Sequence, residues 1–253
     1  MVAGGFDAAN VPEINYGLLS SAIGKHFALF SFHNCDKILA VSNFTREELI
    51  KNVGALHDKI EVIHNGFSEE SFEFGTNKKK IIMTVCSIKR STFELKGINT
   101  MVKVAESMPN YCFYVVGNID SDFLTSIGID RIKNITFLGW KSSTELNEIY
   151  KEAQVYLQLS FYESFGCALA ESMLCGCIPV VTNRAALPEV VGDCGYYVPY
   201  GDVEKTREAI QTALVNAGLR AAVRERIKKC FPLSSRKDGL MRVINSLLEE
   251  NGP

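Results

Sequence analysis

From residue 78 onward, short apolar segments alternate with amphipathic segments. The apolar segments are rich in β-branched residues and lie at 81–87, 112–116, 135–138, 155–159 and 178–181. Between them, apolar positions at helical spacing predict helices at 98–107, 121–127, 144–153 and 165–174. Nearly continuous apolar strands are typical of a parallel sheet that helices cover on both faces. The pattern therefore predicts an α/β fold with a doubly wound, Rossmann-like parallel sheet, whose ligands bind at the carboxyl ends of its strands.

Helical periodicity continues in the C-terminal part of the chain. Helices are predicted at 203–217 and 218–230, followed by a break at Phe231-Pro232. A last amphipathic helix is predicted at 234–250, with a serine cap at its start. Its apolar face consists of Leu240, Val243, Ile244 and Leu247.

The first 70 residues follow a different pattern. A strand is predicted at 35–42, a helix at 43–52 with Asn43 or Thr45 as its cap, and a short strand at 60–63. These strands are too few for a complete sheet. We therefore place residues 1–70 in a partial N-terminal domain, 71–232 in the main domain and 233–253 in a final helical segment.

Composition narrows the functional classes. The chain has 253 residues, 47% hydrophobic, which suffices for a large core. A net charge of -2 argues against nucleic acid as a partner, because binding phosphates requires a concentrated cationic face. No window approaches the roughly 18 apolar residues of a membrane span, and no signal peptide is evident. We expect a cytoplasmic protein that associates at most peripherally with a membrane face.

The eight cysteines indicate neither disulfides nor zinc. Most of them, including Cys86 and Cys112, lie in apolar runs, where small buried thiols pack. No Cys-x-x-Cys pair is present, and Cys175-Gly-Cys177 offers too few ligands for a zinc site. We expect reduced, structural cysteines.

The strongest candidate site is the segment 160–171, Ser-Phe-Tyr-Glu-Ser-Phe-Gly-Cys-Ala-Leu-Ala-Glu. A helix is predicted to begin near Ser164 or Phe165, and its free amides and macrodipole suit a phosphate. Gly166 allows close approach of a ligand. Glu171, about 9 Å along this helix, would reach a ribose, and Glu163 the group beyond the diphosphate. Alternatively, Ser164 is only a cap, Glu171 complements the dipole and Glu163 is solvated.

A second signal is Lys96-Gly97, which follows the first long strand. Without a metal, a departing diphosphate must be stabilised by fixed cations and amides, and Lys96 is well placed for this. Lys89 and Arg90 lie in the same loop, which is otherwise interpreted as a solvated basic segment.

Metal and nicotinamide chemistry have little support. Asp120-Ser121-Asp122 has the form of a metal–diphosphate site, but it is better interpreted as the cap of the next helix. The four histidines show no ligand spacing. Val116-Gly117-Asn118 contains a single glycine, which argues against a dinucleotide fingerprint. We expect no metal and no cofactor.

These motifs resemble those of the family 4 glycosyltransferases, also called glycosyl transferases group 1, which have the GT-B fold. Glu163 to Glu171 is similar to the family's Glu-x7-Glu motif. The resemblance extends over much of the chain. It includes the segments 63–66 (a linker), 137–140 (a loop bordering the nucleobase), and 187–193 and 197–202 (two turns).

The resemblance implies a retaining, metal-independent hexosyltransferase of polysaccharide biosynthesis. Its partners would be a nucleotide-sugar donor and a glycan, lipid-linked or other acceptor. Glu163 would bind the transferring sugar as the catalytic residue, and Glu171 would bind the ribose. The remaining donor-binding residues would be Lys96, Arg90, Ser164, Phe165, Gly166, Cys167, Gly117, Trp140 and Lys141.

The chain departs from the family pattern at two places. Cys86-Ser87 stands where the family has Gly-Arg, so Arg90 or Lys89 would replace that arginine. The N-terminal domain is incomplete, and the turn 3–7 lacks the histidine that relatives often carry there. The chain is then either truncated or one piece of a divided enzyme. The alternative function is a non-catalytic sugar-nucleotide-binding subunit whose partner supplies the acceptor domain.

An incomplete N-terminal domain implies self-association or a partner chain. The strand at 38–41 would lack neighbours and present an exposed edge. The final helix would cross back onto this domain, as in the family, with its apolar face uncovered. We therefore expect association through residues 1–70 and the last helix, and weak activity of the chain alone.

Overall fold

The computed structural model describes residues 1–54 and 57–250. Residues 55–56 of the first predicted domain and 251–253 of the final segment lie outside the described residues. The N-terminal part forms a three-stranded parallel sheet of order β1-β2-β3. Its strands are β1 (Val2–Ala3), β2 (Ile38–Ala40) and β3 (Ile60–Val62), and its helices are α1 (Ala22–Asn34) and α2 (Asn43–Val53).

The main sheet has six parallel strands in the order β6-β5-β4-β7-β8-β9, which confirms the predicted doubly wound fold. The strands are β4 (Lys79–Val85), β5 (Cys112–Val116), β6 (Ile135–Gly139), β7 (Ala153–Gln158), β8 (Ile178–Thr182) and β9 (Tyr196–Val198). The strand order reverses between β4 and β7, and ligands of such sheets bind outside the carboxyl ends at this point.

Helices cover both faces of the main sheet. They are α3 (Ile98–Ser107), α4 (Ser121–Ser126), α5 (Ser143–Glu152), α6 (Cys167–Leu174), α7 (Leu187–Val191), α8 (Val203–Val215), α9 (Leu219–Cys230) and α10 (Leu233–Glu250). Successive strand residues point to opposite faces, so Val155 and Leu157 join one core cluster whereas Tyr156 joins the other. Every residue of β7 is buried, as its continuous apolar pattern predicts.

The N-terminal sheet differs from the prediction in three respects. Strand β1 and helix α1 were not predicted, and β1 pairs with β2 so that β2 lies in the centre of the sheet. The expectation that β2 lacks neighbours is therefore wrong. Helix α2 is capped by neither Asn43 nor Thr45; the Ser42 hydroxyl accepts a hydrogen bond from the Thr45 amide at 3.0 Å.

The last helix also differs from the prediction. It begins at Leu233, so the serines that follow lie within it and do not cap it. Its residues Leu240, Val243 and Leu247 pack against Leu39 and Ile63 of the N-terminal part. The prediction that this face lacks cover is therefore wrong for these three residues, although Ile244 remains 48% exposed.

Two further expectations needed correction. Segments 187–193 and 197–202, expected as turns, contain helix α7 and part of strand β9. All eight cysteines are free, but only Cys86, Cys175 and Cys177 are buried, whereas Cys112, Cys167 and Cys230 are exposed. Among the described residues, no helix combines the length and apolar character that crossing a membrane requires.

Candidate active site

The two strongest sequence candidates meet at the point where the strand order reverses. The loop after β4 carries Lys96, the loop after β7 carries Glu163, and the Lys96 Nζ lies 2.8 Å from Glu163 Oε2. The two loops are held together by a hydrogen bond from the Phe161 amide to the Leu95 carbonyl, at 2.8 Å. Gly97 adopts a φ of +65°, and a Cβ there would clash with the carbonyl oxygen of Leu159. Only glycine fits this close approach.

The ion pair is largely withdrawn from solvent. The side chains of Lys96 and Glu163 are 25% and 17% exposed. Burial alone would lower the pKa of Lys96, but the Glu163 carboxylate outweighs it, and the net pKa is raised. The site therefore holds a permanent cation beside a carboxylate.

The turn 164–166 begins helix α6 later than predicted. Gly166 adopts a φ of +96°, and the helix begins at Cys167 rather than at Ser164 or Phe165. The free amides of the helix start are therefore those that follow Gly166. The Phe165 side chain is buried and stacks on Phe67.

Ser164 belongs to the contact with the N-terminal sheet. It does not cap α6; its carbonyl oxygen accepts hydrogen bonds from the Ser42 hydroxyl at 2.7 Å and the Thr45 hydroxyl at 3.4 Å. Gly5 lies directly against the Ser164 side chain, where a Cβ at position 5 would overlap it. The turn is thus fixed from the N-terminal side.

Glu171 lies about 6 Å along the helix from Cys167, at 1.5 Å per residue, which shortens the predicted distance. Its Oε2 accepts a hydrogen bond from the Tyr150 hydroxyl at 3.3 Å. Burial raises the pKa of Glu171, and the Tyr150 hydrogen bond partly opposes the shift. A half-buried carboxylate one turn below the helix start is arranged to accept hydroxyl donors.

The other predicted donor-binding residues spread along the same edge of the sheet. Gly117 follows β5 with a φ of +136°, and a Cβ there would clash with the Cys86 carbonyl. Trp140 follows β6 and is 68% exposed. Lys141 forms an ion pair with Glu145 at 3.3 Å.

Arg90 lies apart from the Lys96–Glu163 pair. Its guanidinium is 5.4 Å from the centre of the Phe123 ring, and it lines a cavity together with Asp120 and Asp122. Asp120 caps α4, accepting a hydrogen bond from the Phe123 amide at 2.9 Å, which confirms the capping interpretation. Within residues 1–54 and 57–250, no three His, Cys, Asp or Glu side chains gather as metal ligands.

Sequence reasoning missed the residues that join the two sheets. Glu189 of α7 accepts hydrogen bonds from the Asn43 amide at 2.9 Å and from His64 Nε2 at 2.5 Å. Glu189 and Asn43 are distant in sequence, so no local pattern marks the pair. Gln158 was also missed; its side-chain amide donates to Glu163 Oε2 at 3.1 Å. A glutamine ending an apolar strand was the available signal.

Two family models match the chain. Residues 67–230 match the model described as Glycosyl transferases group 1, and residues 14–71 match the model described as Glycosyltransferase Family 4. Together they cover residues 14–230, which include the whole main sheet, strands β2 and β3 of the N-terminal sheet, and the candidate site.

Curated relatives extend beyond this chain. The Saccharomyces cerevisiae phosphatidylinositol N-acetylglucosaminyltransferase GPI3 subunit is 29% identical over 178 residues, which is 64% of this chain and 39% of that protein. The Escherichia coli O-antigen chain mannosyltransferase B is 40% identical over 70 residues, covering 28% of this chain and 18% of that protein. The chain therefore spans about two fifths of the yeast relative.

Solved structures share the fold. Anabaena HepE, in complex with UDP and glucose, superimposes with a TM-score of 0.81 at 16% identity. The match covers 97% of this chain and 70% of that one.

Proposed function

We propose a function on the premise that this chain belongs to the glycosyl transferases group 1 family. The chain binds a nucleoside diphosphate sugar and transfers its hexose, with retention at the anomeric carbon and without a metal ion. The observation that carries this proposal is the half-buried Lys96–Glu163 pair at the carboxyl ends of β4 and β7, beside the start of α6.

The chemical roles follow from the positions of the charges. Lys96 and the free amides after Gly166 offset the negative charge that develops on the departing diphosphate. Glu171, one turn further along α6, binds the ribose hydroxyls. Glu163 cannot face the diphosphate without repulsion, so it binds hydroxyls of the transferring hexose.

The base side of the site lies at the carboxyl ends of β5 and β6. Gly117 permits close approach of the backbone there, while exposed Trp140 and Lys141 flank the nucleobase. Solved HepE holds UDP and glucose on a similar fold, which supports a sugar-nucleotide site. The guanidinium of Arg90 stacks on Phe123. Arg90 would join the other donor-binding residues after a movement of its loop.

The remaining segments serve the acceptor. We assign residues 1–70 to a partial acceptor-side domain, 71–232 to the donor domain and 233–253 to a helix that returns to the first. The packing of α10 on Leu39 and Ile63 supports this division. The acceptor is a glycan or a lipid-linked molecule, since the yeast relative is named for phosphatidylinositol and the Escherichia coli relative for an O-antigen chain.

Nucleotide binding is expected to be independent of divalent metal, because fixed cations and amides replace the ion. A screen of uridine, guanosine and adenosine diphosphates, each near a hundredfold excess over its Kd, should find one that raises the Tm by about 5–10 °C. The shift should be equal with and without a chelator.

The same screen, repeated with the corresponding sugar nucleotides, also tests the proposed transferase function. The corresponding sugar nucleotide should release its diphosphate, and NMR of the transferred sugar should show the donor's anomeric configuration. Stabilisation that vanishes with chelator would contradict the metal-free site and return attention to Asp120 and Asp122. No binding by any diphosphate would contradict the function itself.

Self-association is expected through the N-terminal part, although β2 is paired. On helix α1, Ile23, Phe27 and Phe30 are 75%, 64% and 64% exposed and follow helical spacing. A contiguous exposed apolar face of this kind is typical of an interface. Light scattering should give a mass above the 28.0 kDa monomer, and Phe27→Ser with Phe30→Ser should return it to the monomer.

The control for this experiment is Val215→Ser, which changes an isolated residue that is 83% exposed on α8 and should leave the mass unchanged. The wild-type chain alone should transfer sugar weakly or not at all. A monomeric wild type with robust acceptor-dependent transfer would refute the prediction.

The second candidate function is a non-catalytic donor-binding subunit. The yeast relative is itself named a subunit, which favours a chain that acts together with a partner. The two candidates differ in donor hydrolysis. A chain that binds the sugar nucleotide tightly but never releases diphosphate from it fits the second.

A further inference from the structure

Gln158 is a buried polar residue at the end of a mostly apolar strand. It ends β7, a strand buried along its whole length, and is itself 4% exposed. A buried amide is costly unless its hydrogen-bonding groups are satisfied. Its presence there therefore requires specific partners.

The partners form a connected network. The Tyr156 hydroxyl donates to Gln158 Oε1 at 3.2 Å, and Gln158 Nε2 donates to Ser160 Oγ at 2.8 Å and to Glu163 Oε2 at 3.1 Å. The Ser160 carbonyl in turn accepts from the Thr182 hydroxyl of β8 at 2.6 Å. The orientation of the Gln158 amide is thus fixed by groups on β7 and in the loop that follows it, and β8 holds that loop through Ser160.

This network acts on one oxygen of Glu163. Oε2 accepts from both Lys96 Nζ, at 2.8 Å, and Gln158 Nε2, at 3.1 Å. Oε1 accepts no hydrogen bond from the residues that the structure describes, so it is free to receive a substrate hydroxyl. Lys96 alone could hold the carboxylate in several rotations, since an ammonium is a point charge with rotatable donors. The fixed amide removes that freedom.

We propose that Gln158 is a positioning residue that holds Glu163 with Oε1 toward the hexose of the donor. The inference rests on the proposed function, because it gives Glu163 a sugar to bind. The inference adds Gln158 to the residues that determine selectivity for the intact sugar nucleotide over the plain diphosphate. Lys96 remains free to contact the diphosphate from the other side of the carboxylate.

The test uses the fact that an amide donates a hydrogen bond at every pH, whereas a carboxyl donates only when protonated. In Gln158→Glu, the protonated form can replace the amide, but the ionised form repels Glu163. Burial and the neighbouring negative charge raise the pKa of the introduced carboxyl. Selectivity should therefore be near wild type at low pH and fall about tenfold or more as pH rises from about 5.5 to 8.

Four neighbouring groups, Lys96, Cys86, Tyr156 and Tyr16, keep one protonation state across this range. The pKa of Lys96 is raised, since the Glu163 carboxylate outweighs burial. Burial raises the pKa of Cys86 to about 12 and, with nearby charges, raises that of Tyr156 well above its usual value. The pKa of Tyr16 is also raised by burial. Burial also raises the pKa of Glu171, whose charge acts on Tyr156. Wild type contains the same carboxyl group, so comparison with wild type cancels its effect on selectivity.

Isothermal titration at several pH values measures the ratio of the two affinities, for the sugar nucleotide and for its diphosphate. The matched control is Gln154→Glu, because Gln154 is also buried on β7 and donates to the Leu214 carbonyl, away from the site. This variant should lose stability but show the wild-type pH profile of selectivity. If Gln158→Glu does not fold, Gln158→Met should lose the same selectivity at every pH.

The outcomes separate the inference from the function. A wild type that binds the sugar nucleotide no better than the diphosphate refutes both. If wild type is selective, and the pH profile of selectivity in Gln158→Glu is parallel to that of wild type or of Gln154→Glu, the inference alone is refuted. Equal loss of selectivity in the two glutamate variants would indicate a general packing effect and overturn it as well.

Discussion

Replacing Glu163 with glutamine is expected to weaken sugar recognition strongly while sparing affinity for the nucleotide. The charged carboxylate contributes hydrogen bonds to the hexose that a neutral amide cannot match, a loss of roughly 1.5–3 kcal/mol, or about 10- to 150-fold in affinity. Affinity for the plain diphosphate should be unchanged, or slightly higher, because Lys96 loses the carboxylate that competes for it. Donor turnover should fall by at least about a hundredfold.

Titration calorimetry with both ligands, and diphosphate release from the sugar nucleotide, measure these effects. The matched control is Glu208→Gln, which removes the carboxylate of an exposed lysine pair, Lys205–Glu208, at 3.1 Å on α8. That surface pair contributes little, so both affinities should remain at wild-type values. If Glu163→Gln kept the full wild-type preference for the sugar nucleotide over the diphosphate, Glu163 would not bind the sugar.

Glu171→Ala is expected to weaken binding of the nucleotide itself. The carboxylate lies one turn into α6, toward the ribose, and accepts a hydrogen bond from Tyr150 at 3.3 Å. Losing charged hydrogen bonds to ribose hydroxyls costs roughly 1.5–3 kcal/mol, so affinities for the diphosphate and the sugar nucleotide should fall together, by about 10- to 150-fold. Their ratio should be unchanged, in contrast to Glu163→Gln.

The same titrations test the role of Glu171 in nucleotide binding, with Tyr150→Phe as the control. That variant removes the hydroxyl that contacts Glu171 but keeps the carboxylate, so its nucleotide affinity should change by much less than that of Glu171→Ala. If Glu163→Gln lost the plain diphosphate as severely as Glu171→Ala, the assignment of ribose and hexose to these two carboxylates would be wrong.

The local sequence was a good guide where secondary structure depends on neighbouring residues. Helix α3 and strand β5 have the predicted bounds, 98–107 and 112–116, because burial on a covered sheet imposes periodicities that are visible in short windows. Prediction failed at the start of α6. The positive φ of Gly166 delays the helix to Cys167, and a glycine in sequence does not reveal which backbone region it occupies.

The N-terminal part was harder to interpret. Strand β1 has only two residues, and all of α1 lies between it and its partner β2, so no local pattern marks the pairing. The central place of β2 in its sheet follows from that pairing alone. Nonlocal hydrogen bonds decided this topology.

The sequence by itself determined the α/β class and the parallel main sheet, and it predicted Lys96, Glu163 and Glu171 as site residues, since each follows from periodicity, a motif or a strand end. Only the tertiary structure decided that Lys96 and Glu163 form an ion pair, that Gln158 donates a hydrogen bond to the same carboxylate and that Glu189 joins the two sheets. These contacts join residues from different loops and strands. Their distances are set by sheet order and close packing, which no single segment encodes.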